Sequence, residues 1–288
     1  MRFAFSAKPN PNVDASMQSN RKLLLTEQQR DSMRAAGKFN ASLMDYLRPF
    51  ILPGISTEEI DTIVYDYTIR HGHTPATLGY LSYKKSCCTS VNNVICHGIP
   101  SSYRLKAGDI INVDITSIVD GWHGDQSESF LVGECSVEAC AITQAAFDCM
   151  YRAIRALTPG CFVSVIGDNV VMEAHRRNYS VVREYVGHGL GKRFHQYPNI
   201  PHVPDRKARQ ERLYPGLAFT VEPMINAGTR FTKLDSRDNW TVTTRDGRLS
   251  AQFEHTVLMT ENGPEILTLT QNGPQYGHQF GHQFSLPT

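Results

Sequence analysis

The 288-residue sequence predicts an α+β fold. Three observations carry that prediction. The elements run helix, helix, strands and then helix, helix, strands again, which suggests two related halves sharing one curved sheet covered by helices on its outer face. The strands alternate apolar and polar residues and are joined by short turns, the pattern of antiparallel rather than parallel pairing. No glycine-rich phosphate loop follows a strand, since Gly187-His-Gly-Leu-Gly191 carries histidine where such a loop needs free backbone.

The elements follow in order. Thr26-Glu-Gln-Gln29 has the form of a capping box, and Met33, Phe39, Leu43, Met44 and Leu47 recur at mostly helical spacing, so a first helix runs to about Arg48. Pro53-Gly54 stops it. Ser56-Thr-Glu-Glu59 opens a second helix with Ile60, Ile63, Val64 and Tyr67 as its buried stripe, ended at His71-Gly72. Residues 78–95 read as short strands and turns, followed by a loop at Cys96-His-Gly-Ile-Pro100. Long helices are expected from Ser136 to about Leu157 and from about Val165 to Arg177, before the second set of strands. The resulting organisation is one large domain over residues 26–270 between flexible extensions at 1–25 and 271–288.

Composition narrows the function classes. A formal net charge of +1 without long charge runs gives no argument for nucleic acid or an acidic partner. Seven cysteines, odd in number and without a Cys-x-x-Cys, suit free thiols in a reducing compartment. No apolar run approaches the ~20 residues of a membrane span. Residues 1–25 are basic and nearly free of acids, so an organelle transit peptide is the alternative to plain disorder.

The most informative segment is Asp109-Ile-Ile-Asn-Val-Asp-Ile-Thr116. Alternation puts Ile111, Val113 and Ile115 on one face and Asn112, Asp114 and Thr116 on the other. If Asp120-Gly121 forms a two-residue turn, residue 114 pairs with 127 and 116 with 125. Asp114 and Asp125 then become diagonal neighbours about 7–8 Å apart. Two ionised carboxylates leaning together repel unless a proton or cation lies between them. Such a pair alone decides nothing, because an acid on a half-exposed strand is ordinarily solvated.

The second half supplies three further candidates. His188 lies between glycines; Glu222 ends the apolar strand Phe219-Thr-Val-Glu just before Pro223; Glu254 shares a face with Gln252 and Thr256 in an alternating run over 250–257. An acid in an apolar strand is costly unless paired. Four carboxylates and one imidazole turned inward would suit two divalent ions of manganese, iron, cobalt or zinc.

At this point the residues resemble a known family, the type I methionine aminopeptidases with the pita-bread fold. The resemblance rests on Cys96-His-Gly-Ile-Pro100, Asn112-Val-Asp-Ile-Thr116, His123-Gly-Asp125, Gly187-His-Gly-Leu-Gly191 with Phe194-His195, Thr220-Val-Glu-Pro-Met224 and Ser250-Ala-Gln-Phe-Glu-His255. It covers residues 25–269, and it makes 26–270 the single catalytic metallopeptidase domain. It implies metal ligands Asp114, Asp125, His188, Glu222 and Glu254, with Asp125 and Glu254 bridging two ions, Asp114 on one and His188 with Glu222 on the other. Glu222 is implied to accept a proton from water, His195 to polarise the scissile carbonyl and His97 to contact substrate near the scissile nitrogen. Tyr80, Tyr83, Cys88, Phe194 and Trp240 are implied walls of a methionine slot, and backbone near Asn92, Val94 and Ser250 a candidate sodium or potassium site.

The implied activity is removal of N-terminal methionine when the second residue is small. Its substrates are nascent polypeptide N-termini, with the ribosome a candidate meeting place, and the implied enzyme is a monomer of the cytoplasm or, through residues 1–25, an organelle. The chain departs from the pattern at Thr77 and Leu81, where some relatives carry Cys and His, and at Arg193, in place of a glycine. It also lacks the zinc-finger extension of eukaryotic cytosolic relatives, which favours a bacterial or organellar enzyme. The alternatives are a proline-directed aminopeptidase of the same fold, which usually has a large N-terminal domain, and a non-catalytic binding scaffold, which should lose ligands.

Overall fold

The computed structural model describes residues 23–281. Two capping boxes start the first helix pair. The Thr26 hydroxyl accepts the Gln29 N–H and the Gln29 side chain accepts the Thr26 N–H, opening α1 (Glu27–Leu47); Ser56 and Glu59 do the same for α2 (Thr57–Arg70). Each box satisfies donors that a helix start leaves orphaned. Short strands β1 (Thr74–Pro75), β2 (Cys88–Val91) and β3 (Val94–Cys96) follow.

The long hairpin is β4 (Ile110–Val119) and β5 (Trp122–Leu131). It turns on Asp120-Gly121, both at positive φ (49° and 81°), the backbone that a tight hairpin turn demands. Its register is the expected one, with Asp114 opposite Ser127 and Thr116 opposite Asp125. The second helix pair is α3 (Val137–Arg155) and α4 (Ser164–Arg176), again beside strands: β6 (Ser180–Val181), β7 (Gly187–Gly189), β8 (Gln196–Ile200), β9 (Ala218–Val221), β10 (Met224–Asn226), β11 (Thr232–Leu234), β12 (Val242–Thr244), β13 (Ser250–Gln252), β14 (Glu254–Thr260) and β15 (Gly263–Ile266).

Nine strands form one sheet along the path β1-β4-β5-β14-β9-β7-β8, with β15 on β14 and β2 on β4. All of its pairings are antiparallel. The outer face is apolar. Ile111, Val113 and Ile115 pack beneath Leu43, Met44 and Leu47 of α1 and Ile60 and Val64 of α2. Phe219, Val221 and Val257 do the same beneath Phe147 and Ile154 of α3 and Val170 of α4. Each such side chain contributes about 1.5–3 kcal/mol on burial, which fixes the face of every strand it belongs to. The intervening residues must then point inward.

Helix α1 crosses β5 very closely. A Cβ at Gly124 would lie 2.4 Å from the Ala36 carbonyl oxygen, so only glycine fits one residue before Asp125.

Two expectations need revision. The run over 250–257 is not one strand: it breaks at Phe253, so that Gln252 pairs with Met224 in a small second sheet while Glu254 pairs with Ser127 in the main one. The break lets one segment serve two sheets, which alternation alone does not reveal. The second concerns the expected flexible tail at 271–288: Gln271 and Asn272 bond Asp45 of α1, and Phe280 lies against Phe147 of α3 and Phe253. Residues 1–22 of the expected N-terminal extension and 282–288 of the tail lie outside the described residues.

Candidate metal centre

Register assembles the centre. Asp114 on β4 and Glu254 on β14 both face Ser127 of β5, one from each side, and Asp125 lies two residues earlier on the same face of β5. Strand β14 in turn pairs with β9, which aligns Thr256 with Thr220 and brings Glu222, just past the end of β9, to the same face. His188 arrives from β7 beyond. Its backbone N–H donates to the Thr220 hydroxyl (3.0 Å), and that hydroxyl donates to Glu222 Oε1 (2.6 Å), so one buried threonine holds two of the five predicted ligands.

The donor atoms converge. His188 Nε2 lies 3.6 Å from Asp125 Oδ2 and 3.7 Å from Glu222 Oε1. One donor atom each of Asp125, His188 and Glu254 lie within 4.8 Å of one another. The His188 ring is set by its Nδ1, 3.1 Å from the Gly189 carbonyl. In the tautomer that donates there, Nε2 offers its lone pair to the acids' space, the usual arrangement for a metal-ligating histidine. Burial pushes this ring down to about 4, so it is neutral at pH 7 and able to ligate.

The acids are under electrostatic stress. Burial raises Asp114 to about 7. Glu222 is raised to about 8 by burial and by the charge of Asp114, against the Thr220 hydrogen bond. Asp125 and Glu254 are held well above the carboxylate range by burial first and by the neighbouring acids second. Among the described residues no lysine or arginine bonds to any of the four; their partners include the hydroxyls of Thr116 and Thr220, the amide of Gln252, the backbone of Gln126 and, between Glu222 and Glu254, each other's carboxyl groups. Like charges this close cannot all ionise without protons or cations between them. A divalent cation is the counter-charge that this oxygen-rich set with one imidazole nitrogen fits.

Around the centre stand the predicted substrate groups. His195 has its ring centre 4.1 Å from that of His188 and 4.2 Å from Phe194, and its Nδ1 lies 2.9 Å from the Tyr80 hydroxyl. Although one edge is exposed, burial of the rest of the ring and the nearby imidazoles hold it neutral. Tyr80 packs on Phe194 at 4.8 Å. His97, at φ 57°, sets its ring edge-on to Tyr185 (5.5 Å) and Trp240 (6.0 Å), and burial lowers it to about 4. Trp240 meets Tyr83 at 5.0 Å, and Cys88 sits directly opposite Asp114 in the β2–β4 pairing. Of the pocket candidates, Cys88 and Tyr83 thus lie near Asp114, while Tyr80 and Phe194 flank His195 and His188.

The three monovalent-site candidates fall at one junction, where the Asn92 carbonyl accepts the Ser250 N–H (2.9 Å) and Val94 lies on β3, in contact with β13. Of the departures, Thr77 donates its hydroxyl to the Lys85 carbonyl, and Leu81 and Arg193 are exposed.

Sequence reasoning missed the supporting shell. Thr116, Thr220 and Gln252 each bond a ligand, and buried His202 accepts the Glu222 backbone N–H at Nε2 (3.0 Å). A signal was present for the threonines, since Asp114/Thr116 and Thr220/Glu222 are spaced two apart on one strand face. Nothing in the sequence singles out His202.

Comparisons with known proteins agree with this geometry. The sequence profile of Metallopeptidase family M24 matches residues 31–261. Methionine aminopeptidase A of Synechocystis is 48% identical over 248 residues, covering 85% of this chain and 97% of its own. Methionine aminopeptidase of Escherichia coli K12 is 43% identical over 252 residues, 86% of this chain and 94% of its own. The crystal structure of methionine aminopeptidase from Rickettsia prowazekii superposes with a TM-score of 0.83 at 43% identity, covering 85% of this chain and 99% of that one. Prolidase from Pyrococcus furiosus superposes with a TM-score of 0.69 at 18% identity, covering 90% of this chain and 68% of that one, a likeness of fold alone. With buried donors of Asp125, His188 and Glu254 converging on one sheet face and the profile spanning most of the chain, this protein belongs to metallopeptidase family M24.

Proposed function

We propose that this chain removes the N-terminal methionine from newly made proteins whose second residue is small, using two divalent ions held by Asp114, Asp125, His188, Glu222 and Glu254. The convergence of Asp125, His188, Glu222 and Glu254, with no lysine or arginine bonded to the acids among the described residues, is the observation that carries the reading. The high identity to proteins named methionine aminopeptidase favours methionine over proline at the first position. The retained ligands speak against a non-catalytic scaffold.

The bound cations would supply Lewis acidity, lowering the pKa of water toward ~7 and polarising the scissile carbonyl. The chain's own groups do the rest. Glu222, kept in place by Thr220 and Gln252, is the proton acceptor. If the Tyr80 hydroxyl donates to Nδ1 of His195, Nε2 carries the proton and can donate to the carbonyl oxygen as charge develops there. His97, neutral at pH 7, contacts the substrate near the scissile nitrogen. Tyr80, Tyr83, Cys88, Phe194 and Trp240 hold the methionine side chain, matching a thioether with aromatic faces and a thiol. The acidic centre also accounts for an exopeptidase, because a free α-amine suits it and an acetylated one does not.

The finer assignments belong to the same reading. Manganese, iron, cobalt and zinc all suit the donor set, and a sodium or potassium ion fits the junction of Asn92, Val94 and Ser250. The seven unpaired cysteines suit a reducing compartment such as the cytoplasm, with an organelle reached through residues 1–25 as the alternative. Among the described residues no helix is long and apolar enough to cross a membrane. A monomer meeting nascent chains, including at the ribosome, completes the proposal.

The test is release of methionine from Met-Gly-Met-Met by metal-free protein resupplied with each divalent ion. Pro-Gly-Met-Met, a proline-second peptide and N-acetyl-Met-Gly-Met-Met serve as controls. Cleavage of the first peptide alone supports the proposal, and failure with every metal overturns it.

A further inference from the structure

Residues 271–281 lie outside the 31–261 stretch matched by the family profile, yet they are tied to the body of the protein at several points. The backbone N–H groups of Gln271 and Asn272 donate to the Asp45 carboxylate of α1 (2.6 and 3.2 Å). Asp45 also accepts from Arg48, whose guanidinium pairs with buried Glu128 on β5. The segment then crosses α3. The Tyr276 ring lies under the Arg155 guanidinium (4.1 Å) and 5.7 Å from Tyr151. Further on, the side chain of Gln144 grips the backbone twice: its Nε2 donates to the His278 carbonyl (3.1 Å) and its Oε1 accepts the Phe280 N–H (2.9 Å). Gln144 is buried and its Nε2 also donates to Asp148 (2.9 Å), whereas its Oε1 has the Phe280 N–H as its partner.

What the segment touches is specific. Phe280, Phe147 and Phe253 form a triangle of rings with centres 5.2–5.6 Å apart. Phe253 is the residue at which β13 gives way to β14, so side-chain packing rather than strand pairing sets its position. Tyr151, beside Tyr276, has its hydroxyl 3.4 Å from Nε2 of His255. Phe253 and His255 are the two neighbours of Glu254. Their side chains face outward while that of Glu254 faces the other acids, so a contact on the outside fixes the backbone from which the inside carboxylate projects.

We infer that the segment 271–281 is a positioning brace for Glu254, with Phe280 acting through Phe253 and Tyr276 acting through Tyr151 and His255. The inference rests on Glu254 being a metal ligand. A brace of this kind does not touch substrate or ion. Loosening it lets the carboxylate wander from the other four donors, and altered support around a ligand typically weakens metal binding by about 10–100-fold.

The test uses the full chain with Phe280→Ala, Tyr276→Ala, Phe280→Leu and a truncation after Thr270. Three quantities are measured on each: Mn(II) affinity of the metal-free protein by calorimetric titration, the melting temperature in chelator, and kcat and KM for Met-Gly-Met-Met at saturating Mn(II). Phe280→Ala and Tyr276→Ala should bind Mn(II) about 10-fold more weakly, with kcat reduced and KM within twofold of the parent. Phe280→Leu should recover most of the affinity. The truncation should match or exceed the loss; if it does not fold, the point variants decide.

Mn(II) affinity and kcat within twofold of the parent in both alanine variants, whatever the melting temperature, would overturn the brace. A parent that binds Mn(II) but releases no methionine sinks the proposed function and leaves the titrations to judge the brace. A parent that binds no divalent ion overturns the brace together with the ligand assignment.

Discussion

Thr220 is the residue whose loss should be most informative for its size. Its hydroxyl accepts the His188 N–H (3.0 Å) and donates to Glu222 Oε1 (2.6 Å), and the side chain is fully buried. Thr220→Val keeps the shape and removes both bonds. A buried backbone donor that loses its hydroxyl acceptor costs about 1–3 kcal/mol. At about 2–4 °C per kcal/mol for a chain of this size, the metal-free variant should melt about 2–12 °C below the parent. Glu222 loses its orienting donor at the same time, and His188 the anchor of its backbone. Metal affinity should therefore fall about 10–100-fold. Thr220→Ser, which keeps the hydroxyl, should lose little metal affinity. Calorimetric titration with Mn(II), paired with thermal unfolding in chelator, reads both effects. Unchanged affinity in Thr220→Val would refute the view that this hydroxyl organises two ligands.

The acid cluster also sets a pH dependence. With Asp114 raised to about 7 and Glu222 to about 8, the metal-free folded state binds more protons than the unfolded chain between about pH 4 and 8. Stability from these groups is therefore present at low pH and lost as pH rises through 7–8. Scanning calorimetry should find the melting temperature of chelated protein falling from pH 5.5 to 8.5 and Mn(II) abolishing that fall; identical profiles with and without metal would contradict the cluster. Tyr80→Phe removes the hydroxyl beside His195 Nδ1. A loss of about 1 kcal/mol corresponds to about a fivefold drop in kcat with little change in KM, and steady-state kinetics on Met-Gly-Met-Met would expose an unaltered kcat. Gly124→Ala would place a Cβ 2.4 Å from the Ala36 carbonyl oxygen. Overpacking of about 2–3 kcal/mol should lower the melting temperature by about 4–12 °C, and an unchanged value would mean that α1 shifts freely.

Much of this architecture is legible in the sequence because local rules act on it strongly. Asp120-Gly121 between two alternating runs dictates the hairpin register, and that register alone puts Asp114 and Asp125 on one face. The capping boxes at Thr26 and Ser56 mark helix starts for an equally local reason. What the sequence hides is set by strand order. That β7 pairs with β9 decides that Thr220 serves both His188 and Glu222, and that Gln252 pairs with Met224 decides that it bonds Glu222 rather than Glu254, its near neighbour in sequence. The break at Phe253 and the packed course of 271–281 depend on rings brought from α3, so neither carries a periodic signal. The methionine-slot residues carry no local signal either; they entered through resemblance to a family.

The central claim is that Asp125, between the other acids, is indispensable to a metal-dependent release of methionine. Asp125→Asn keeps an oxygen for the Thr116 hydroxyl to bond while removing the charge. The decisive measurement compares methionine released from Met-Gly-Met-Met by the parent and by Asp125→Asn, each stripped of metal and resupplied with Mn(II), with bound metal counted in both. The account predicts two ions per parent chain, methionine release only when they are bound, and a variant at least about 100-fold slower with less metal. Equal turnover by Asp125→Asn, or full parental turnover in chelator, would contradict it.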